Sequence, residues 1–497
     1  MAPIPIHRDT ETVRAEPRRV LAKPYLPGEE ITPGGDLRAE ALLRRVLAIP
    51  EDEVPALIAE ILGQFADRHR RFEETLERHS ALVVHHTRIG QNLSRARRLL
   101  IGAYFTHEYS VEGAALFNPS IVLAPDSRED GGGPQRFVMS VRAVGEGHIS
   151  SIGFRTGSLD GSGKVVFDPP GKLLVSGEKA PPTWYGRRQF QAKLVELGTG
   201  NAVASAVLAT LQERFTRSDL EASITRLEQS GLPPSIGHET IKTIRLLAAS
   251  SYITSFPEDS ALGERVLFPT GPHETQGMED ARFVRFTDDD GSVRFHATYT
   301  AFDGREIIPQ MIETADFVTF AVSTLSGSAA QNKGMALFPR RVGGEYLMLS
   351  RKDRENLYLA RSSDLRLWND SVPLFRPSSP WELLQIGNCG SPLETDEGWL
   401  VLTHGVGPMR RYTLGALLLD RDDPTRVLGH LPVPLMAPSP AEREGYVPNV
   451  LYSCGSLIHG PWLIIPYGFS DTGIGIARVP LADLLAELRR PASKPPG

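Results

Sequence analysis

Asp280-Ala-Arg-Phe283 begins a segment in which an apolar stretch, a turn rich in Asp and Gly, and a second apolar stretch follow one another. The same order recurs after Leu337-Phe-Pro-Arg340, Ser391-Pro-Leu-Glu394 and Asn449-Val-Leu-Tyr452. These four starts lie 57, 54 and 58 residues apart, and an earlier unit begins near Asn118. A repeat of this length with paired strands is typical of the four-stranded blades of a β-propeller. We therefore predict a mainly β fold with five such units.

Helical periodicity precedes this pattern and interrupts it. Between residues 36 and 104, apolar faces that begin at Leu42, Leu57 and Phe72 predict three helices. A second helical block is expected over 187–250, and a last amphipathic helix over 481–489. The predicted organisation is an N-terminal arm and helical region at 1–105, a propeller at 106–480 with a helical insertion at about 187–250, and a C-terminal helix and tail at 481–497.

The composition excludes several classes of protein. The 497 residues carry a net charge of −6, which argues against a sequence-independent grip on nucleic acid. Two cysteines, Cys389 and Cys454, are too few for a disulfide framework and favour a reducing compartment. Residues 1–9 show no signal-peptide pattern, and no apolar run reaches the roughly 20 residues that cross a bilayer. We therefore expect a cytoplasmic protein without membrane contact.

Ionisable and polar residues concentrate at the starts of the repeats and at the ends of the predicted strands. In a propeller these positions converge on the central channel, so we expect several cations and a few carboxylates to line it. For any one of these residues, a solvated loop charge or a salt bridge is the competing interpretation. The residues concerned are Glu279, Asp280, Arg282, Lys333, Arg351, His404, Tyr412, Tyr467 and Asp471.

Several segments in this order resemble glycoside hydrolase family 130, the mannoside phosphorylases and related β-mannosidases. The matching segments include Gly277-Met-Glu-Asp-Ala-Arg282, Lys333-Gly-Met-Ala-Leu-Phe-Pro339, Gly398-Trp-Leu-Val-Leu-Thr-His-Gly405 and Tyr467-Gly-Phe-Ser-Asp471. The resemblance implies a five-bladed β-propeller, in agreement with the repeat length. It does not cover residues 1–105 or 187–250, and Ala281 stands where family members commonly have Pro.

The resemblance assigns the catalytic acid to Asp280, which in the family is thought to protonate the glycosidic oxygen through the 3-hydroxyl of the mannosyl unit. Such an acid must be protonated near neutral pH, so we expect a buried or carboxylate-flanked Asp280, with Glu279 contributing. A turn or capping aspartate is the alternative. Most glycoside hydrolases use two carboxylates, whereas a phosphorylase needs one proton donor and a basic site for phosphate, which is itself the nucleophile.

The candidate phosphate ligands are Arg282, Lys333, Arg351, a protonated His404 and the hydroxyl of Tyr412. Arg282 and Arg351 are equally well explained as partners of structural carboxylates, and His404 as a core histidine. The candidate sugar ligands are Asn118, Arg142, Arg155, Glu279, Tyr467 and Asp471. We expect no metal site and no cofactor other than phosphate as co-substrate.

The resemblance predicts that a β-mannoside oligosaccharide reacts with phosphate to give α-mannose 1-phosphate, with inversion at the anomeric carbon. Two alternatives stay open: an inverting β-mannosidase, in which water replaces phosphate, and a carbohydrate-binding propeller without activity. The apolar helix faces need a partner surface, so we also expect a homo-oligomer formed through the helical regions.

Overall fold

A computed structural model describes residues 4–28, 37–87, 92–127, 134–230 and 234–490. The N-terminal region begins with three short strands, β1 (His7–Arg8), β2 (Val13–Arg14) and β3 (Val20–Pro24). Four helices follow, α1 (Arg38–Leu47), α2 (Val54–Phe65), α3 (Phe72–Thr87) and α4 (Arg95–Tyr104). Part of the predicted arm and of the C-terminal tail, residues 1–3, 29–36 and 491–497, lies outside the described residues.

The sequence predicted three N-terminal helices, and α4 is the one it missed. Its first turn is dominated by arginine, which hides the apolar face, but Ser94 caps it by accepting a hydrogen bond from the Arg97 N–H. The Arg97 side chain is buried and binds Glu51 and the main-chain oxygens of Val46 and Ile49. From the sequence pattern Arg97 would be expected to face solvent, but its buried side chain instead links α4 to the end of α1 and the residues that follow it.

A first group of antiparallel strands follows the helices. After β4 (Thr106–Ser110), which pairs with β3, come β5 (Ala115–Leu123), β6 (Gln135–Val144), β7 (Ser150–Leu159) and β8 (Val165–Phe167), paired in that order.

The predicted insertion is helical. Short strands β9 (Val175–Ser176), β10 (Glu178–Ala180) and β11 (Tyr185–Gly186) lead into α5 (Arg187–Glu196) and α6 (Ala202–Ala209). Then come β12 (Arg214–Phe215), α7 (Arg217–Gln229) and α8 (Pro234–Ala249). These helices share their own apolar core, built around Leu194, Val207 and Ile244.

The strand pattern then resumes to the end of the described chain. The second group contains β13 (Tyr252–Ser255), β14 (Arg265–Leu267), β15 (Gly277–Thr287), β16 (Val293–Phe302), β17 (Ile307–Thr314) and β18 (Thr319–Thr324). The third contains β19 (Ala336–Leu337), β20 (Tyr346–Ser350), β21 (Leu357–Ser362) and β22 (Asp370–Phe375). The fourth contains β23 (Gln385–Asn388), β24 (Leu393–Thr395), β25 (Gly398–Val406), β26 (Tyr412–Leu419) and β27 (Val427–His430). The fifth contains β28 (Leu451–Tyr452), β29 (Leu457–His459), β30 (Trp462–Phe469) and β31 (Gly473–Pro480), and α9 (Leu481–Leu488) follows it.

The hydrogen bonding departs from five separate sheets. Strand β7 pairs with β14 and, at one position, with β15, so the first two groups form one 12-stranded sheet. The N-terminal strands β1 and β2 both pair with β31 and complete the sheet of the fifth group. The fold is thus mainly β with two helical blocks, and the five-bladed arrangement stays a prediction.

Alternate residues of each inner strand face different apolar cores, as the two-residue period of a strand requires. Val122 of β5 lies in a core shared with the second group, whereas its neighbour Ile121 packs against Ile464 and Ile476 of the fifth. Further cores join the second group to the third, the third to the fourth and the fourth to the fifth. None of the helices in the described ranges is long and apolar enough to cross a membrane.

Candidate active site

A cavity of about 450 Å³ is lined by residues from all five strand groups. Most of the lining residues have polar side chains, and these come from every group of strands. The lining residues are Asn118, Asp280, Ile307, Asn332, Lys333, Arg351, Arg354, Gln385, His404, Arg410, Tyr412, Val447, Val450, Tyr452 and Asp471.

Two of these residues occupy equivalent irregularities in the first and second groups. The pairing register shifts around Asn118 in β5 and around Asp280 in β15, and both residues have left-handed backbone, with φ of +49° and +56°. A bulge re-aims the side chain that would otherwise alternate along the strand, and Asn and Asp tolerate this conformation better than other residues with side chains. Both side chains thereby reach the cavity and meet, because Asn118 Nδ2 donates to Asp280 Oδ1 across 2.6 Å.

Cations surround the Asp280 carboxylate. Arg142 Nη1 lies 3.1 Å from Asp280 Oδ1. Burial raises the pKa of Asp280, but Arg142, Arg282 and Lys333 outweigh it and lower the pKa to about 2. The Asp280 side chain is only partly buried, at 12% exposure. The neighbouring cations stabilise its charged form, which is the opposite of the protonated form expected from the sequence.

Glu279 holds two of these cations in place. Its carboxylate accepts from Arg142 Nη2 at 2.7 Å and from Lys333 Nζ at 2.5 Å, and the residue is 6% exposed. Glu279 is absent from the described lining of the cavity. The structure therefore gives it a positioning contact to Arg142 and Lys333 in place of the predicted contact to sugar.

His404 and Arg351 also line the cavity, and their contact determines the protonation state of the imidazole. Burial lowers the pKa of His404 well below its ordinary value, and Arg351 and Arg282 lower it further. Arg351 Nη1 lies 3.2 Å from His404 Nε2, and because a guanidinium only donates, Nε2 is the acceptor. The expectation of a protonated, phosphate-binding His404 is corrected: the ring is neutral and orients Arg351. A Cβ on residue 387 would collide with both side chains, so Gly387 makes their contact possible.

Arg282 lies behind the cavity wall. It is 2% exposed, donates to the main-chain oxygen of Asp280 at 2.9 Å and to the Tyr452 hydroxyl at 2.8 Å, and does not appear among the described lining residues. Its predicted direct contact to phosphate is therefore corrected. It acts on the cavity through its charge and through Tyr452.

Asp471 and Tyr412 lie where the sequence predicted, on the cavity wall. Burial raises the pKa of Asp471 to about 6, with Arg142 opposing the shift and Asp280 adding to it. The Tyr412 ring stacks on His404, with centroids 6.0 Å apart and planes 19° apart. Asp471 is thus the more readily protonated of the two cavity carboxyls.

Four predicted sugar ligands are absent from the described lining of the cavity. Arg142 and Glu279 contact each other beside Asp280, whereas Arg155 and Tyr467 lie elsewhere. Arg155 is 3% exposed and binds Glu112 at 2.8 Å, beside Arg19, which makes a second contact to the same carboxylate. Tyr467 is 2% exposed, packs in the core between the fourth and fifth groups and donates to Glu442 Oε1 at 2.7 Å. The predictions for Arg155 and Tyr467 are corrected, since each side chain is satisfied by protein partners away from the cavity.

Five polar residues of the wall had no role assigned from the sequence: Asn332, Arg354, Gln385, Arg410 and Tyr452. Three had a visible signal, because Asn332 precedes Lys333, Arg410 opens the Arg410-Arg411-Tyr412 run, and Tyr452 ends a repeat start. Among the described lining residues, Lys333, Arg351, Arg354 and Arg410 outnumber the carboxylates of Asp280 and Asp471. The cavity is therefore suited to an anionic ligand.

One group elsewhere has potential metal ligands. Within the described ranges, ligand atoms of His273, Asp303 and Glu306 lie within 4.8 Å of one another. Asp303 already accepts from the main-chain N–H groups of Arg305 and Glu306. The expectation of no metal site stays a prediction.

Comparison with known proteins identifies the family. The family model described as beta-1,4-mannooligosaccharide phosphorylase, of glycoside hydrolase family 130, matches residues 243–490. A 1,2-beta-oligomannan phosphorylase from Thermoanaerobacter sp. is 34% identical over 215 residues, which is 42% of this chain and 71% of that protein. A beta-1,2-mannobiose phosphorylase from Listeria innocua is 30% identical over 230 residues, 45% of this chain and 63% of that protein.

A solved complex of beta-1,2-mannobiose phosphorylase from Listeria innocua with beta-1,2-mannobiose aligns with a TM-score of 0.45 and 20% identity, covering 76% of this chain and 93% of that one. The sequence matches and the order of the shared segments confirm the resemblance noted from the sequence. This chain belongs to glycoside hydrolase family 130.

Proposed function

We propose that this protein is an inverting glycoside phosphorylase that converts β-mannosides and phosphate into α-mannose 1-phosphate and a shortened acceptor. The observation that carries the proposal is a bulge-held carboxylate, Asp280, which lies beside Arg142 and Lys333 and lines a cavity with several cations. Relatives 29% to 34% identical are named as mannoside phosphorylases, which supports it.

In the proposed reaction, a phosphate oxygen attacks C1 of the mannosyl unit on the face opposite the glycosidic oxygen. The bond between C1 and the glycosidic oxygen breaks, and that oxygen takes the Asp280 proton through the mannosyl 3-hydroxyl. Lys333 and Arg351 hold the phosphate in line, with Arg354 and Arg410 adding positive charge. Phosphate is already anionic, so the reaction needs no protein base.

A five-bladed propeller is the fold we propose for the five strand groups. Its support is the arrangement of the apolar cores. Four of them each join two consecutive groups, and one more joins the fifth group to the first. Pairing of β1 and β2 with β31 brings the N-terminal arm to the last group. The division at 1–105, 106–480 and 481–497, with an insertion at 187–250, is part of this proposal.

The alternative of an inverting β-mannosidase replaces phosphate by water and needs a carboxylate base. Water is a neutral nucleophile that does not need several cations to bind it, whereas phosphate is an anion. The four cations of the wall therefore favour phosphate: Lys333, Arg351, Arg354 and Arg410. The alternative that is not an enzyme is a propeller that binds carbohydrate without cleaving it.

We further propose a cytoplasmic location, because a sugar phosphate is used inside the cell. We also propose a homo-oligomer formed through the helical regions, which light scattering tests against the chain mass of 54.5 kDa.

The experiment is a screen of β-mannosides with and without inorganic phosphate. The proposal predicts sugar phosphate with phosphate present and no cleavage without it. Equal release of free mannose in both arms identifies a hydrolase. Binding of mannosides with no turnover under any condition identifies a binding protein.

A further inference from the structure

An aromatic pair lies next to Val447, a residue that lines the cavity, and has no part in the reaction described above. The rings of Tyr446 and His148 stack with centroids 5.8 Å apart and planes 24° apart. The Tyr446 hydroxyl and His148 Nδ1 are 3.3 Å apart. Tyr446 nevertheless remains 60% exposed, so much of its ring is open to a ligand.

Main-chain contacts fix this pair next to the site. Val447, the residue after Tyr446, lines the cavity. Its N–H donates to the Ser470 carbonyl at 3.1 Å, and the Tyr446 N–H donates to Thr472 Oγ1 at 3.3 Å. Both partners flank Asp471, so the tyrosine is anchored to the turn that carries a cavity carboxyl.

His148 reaches the same place from the first strand group. It lies in the turn between β6 and β7, six residues after Arg142. Its φ of +59° lies in the left-handed region, which is unfavourable for a residue with a Cβ. A strained residue whose ring is then presented beside a cavity suggests a role in binding.

We propose that Tyr446 and His148 form a platform that binds an additional sugar unit of a β-mannooligosaccharide beyond the bond that is cleaved. The apolar C–H face of a pyranose packs on an aromatic ring, and the phenol and imidazole supply hydrogen bonds to its hydroxyls. The inference rests on the proposed function and deepens it, because it makes oligosaccharides better substrates than disaccharides.

Two tryptophans, Trp381 and Trp399, do not offer such a platform. Trp399 is fully buried between the third and fourth groups, and Trp381 packs against Gly405 and Gly415. Neither appears in the described lining of the cavity. Tyr446 and His148 are also absent from that lining, but Tyr446 is 60% exposed and directly precedes Val447, which belongs to it.

The test compares Tyr446→Ala and His148→Asn with wild type on a β-mannobiose and the tetrasaccharide of the same linkage. Asparagine removes the ring but tolerates the left-handed backbone. Tyr104→Ala is the matched control, since Tyr104 is a similarly exposed tyrosine on α4. We expect each platform variant to lose about tenfold in kcat/KM on the tetrasaccharide and less than about twofold on the disaccharide. Equal losses on both substrates, or no loss on either, overturn the platform.

Calorimetric titration of the same sugars without phosphate separates this inference from the proposed function. If wild type binds the tetrasaccharide but turns over nothing, the phosphorylase proposal fails. The platform then stands only if Tyr446→Ala weakens tetrasaccharide binding more than disaccharide binding. If wild type binds neither sugar, both proposals fail. If wild type is active and the variants keep its chain-length preference, only the platform fails.

Discussion

The Arg142 guanidinium lies 3.1 Å from the Asp280 carboxylate, and this contact controls the proton that the proposed reaction needs. With Arg282 and Lys333 it lowers the pKa of Asp280 to about 2 against the effect of burial, so the free protein holds the carboxylate form. Asp280 must therefore gain its proton on substrate binding. A bound phosphate supplies the cause, because its negative charge offsets the same cations.

This relationship predicts different pH dependences for the free and the substrate-bound protein. Phosphate beside Asp280 raises the pKa of the acid, so the alkaline limb of kcat is expected at higher pH than that of kcat/KM. Both profiles are measured with saturating and limiting phosphate. An alkaline limb of kcat at the same pH as that of kcat/KM, or below it, would contradict a phosphate-induced shift.

Replacing Asp280 by Asn removes the proton donor and keeps a residue that tolerates its φ of +56°. We expect kcat/KM to fall by at least about 100-fold. Asp290→Asn is the control, because Asp290 is an exposed turn residue whose carboxylate accepts from the Ser292 N–H. Activity of Asp280→Asn within a few-fold of the control would rule out Asp280 as the acid.

Arg351 is predicted to bind phosphate, and its neighbour provides a matched control. Arg351→Ala is expected to raise KM for phosphate by about tenfold to 100-fold, since hydrogen bonds to charged groups contribute roughly 1.5–3 kcal/mol. Lys352→Ala removes the same charge one residue away, where Lys352 Nζ donates to Ser371 Oγ at 3.0 Å, and should leave this KM unchanged. Steady-state kinetics at varied phosphate distinguish the two, and similar effects of both variants would point to general electrostatics.

Asp471 has the opposite shift from Asp280, and its effect on stability has the opposite sign. Burial raises its pKa from the ordinary value of 3.8 to about 6, so the native state binds the proton more tightly than the unfolded state. The stability this contributes is complete below pH 3.8 and is lost as pH rises through about 6.

An asparagine side chain cannot ionise, so the variant Asp471→Asn lacks this pH dependence. Its free energy of unfolding minus that of wild type should therefore rise by roughly 2 kcal/mol from pH 4.5 to pH 7.5. Urea denaturation at the two pH values measures it. A difference between variant and wild type that is equal at both values, or larger at pH 4.5, would show that the Asp471 pKa is not raised.

The buried pair of Arg155 and Glu112 is predicted to matter for stability and not for substrate. Arg155→Met leaves Glu112 with Arg19 as its remaining side-chain ion-pair partner among the described residues. We expect the free energy of unfolding to fall by about 3 kcal/mol. KM for phosphate and for mannoside should not change in the folded variant. A raised mannoside KM would return Arg155 to the substrate site.

Periodicity in the sequence predicted much of the fold because helices need an apolar face. The first helix of the second helical block begins at Arg187 as expected, and the last helix ends within a residue of the predicted position. The strand repeats could be predicted for a similar reason. Each strand group packs against two apolar cores, so its strands are apolar stretches that stand out between polar turns.

The site was less predictable because register decides which side chains reach the cavity. Tyr467 and Gly468 are adjacent on β30, yet the tyrosine enters the core, and Gly468 pairs with Tyr452 of the cavity wall. A one-residue change of register would exchange these faces, and the sequence alone does not fix it. The bulges at Asn118 and Asp280 and the neutral state of His404 depend on the same three-dimensional neighbours.

The most direct measurement follows the anomeric product by proton and phosphorus NMR while the protein acts on a β-mannooligosaccharide in phosphate buffer. An acid at Asp280 with phosphate held on the opposite face predicts α-mannose 1-phosphate as the first product, formed in step with the shortened acceptor. Free mannose as the first product, or β-mannose 1-phosphate, would contradict the account.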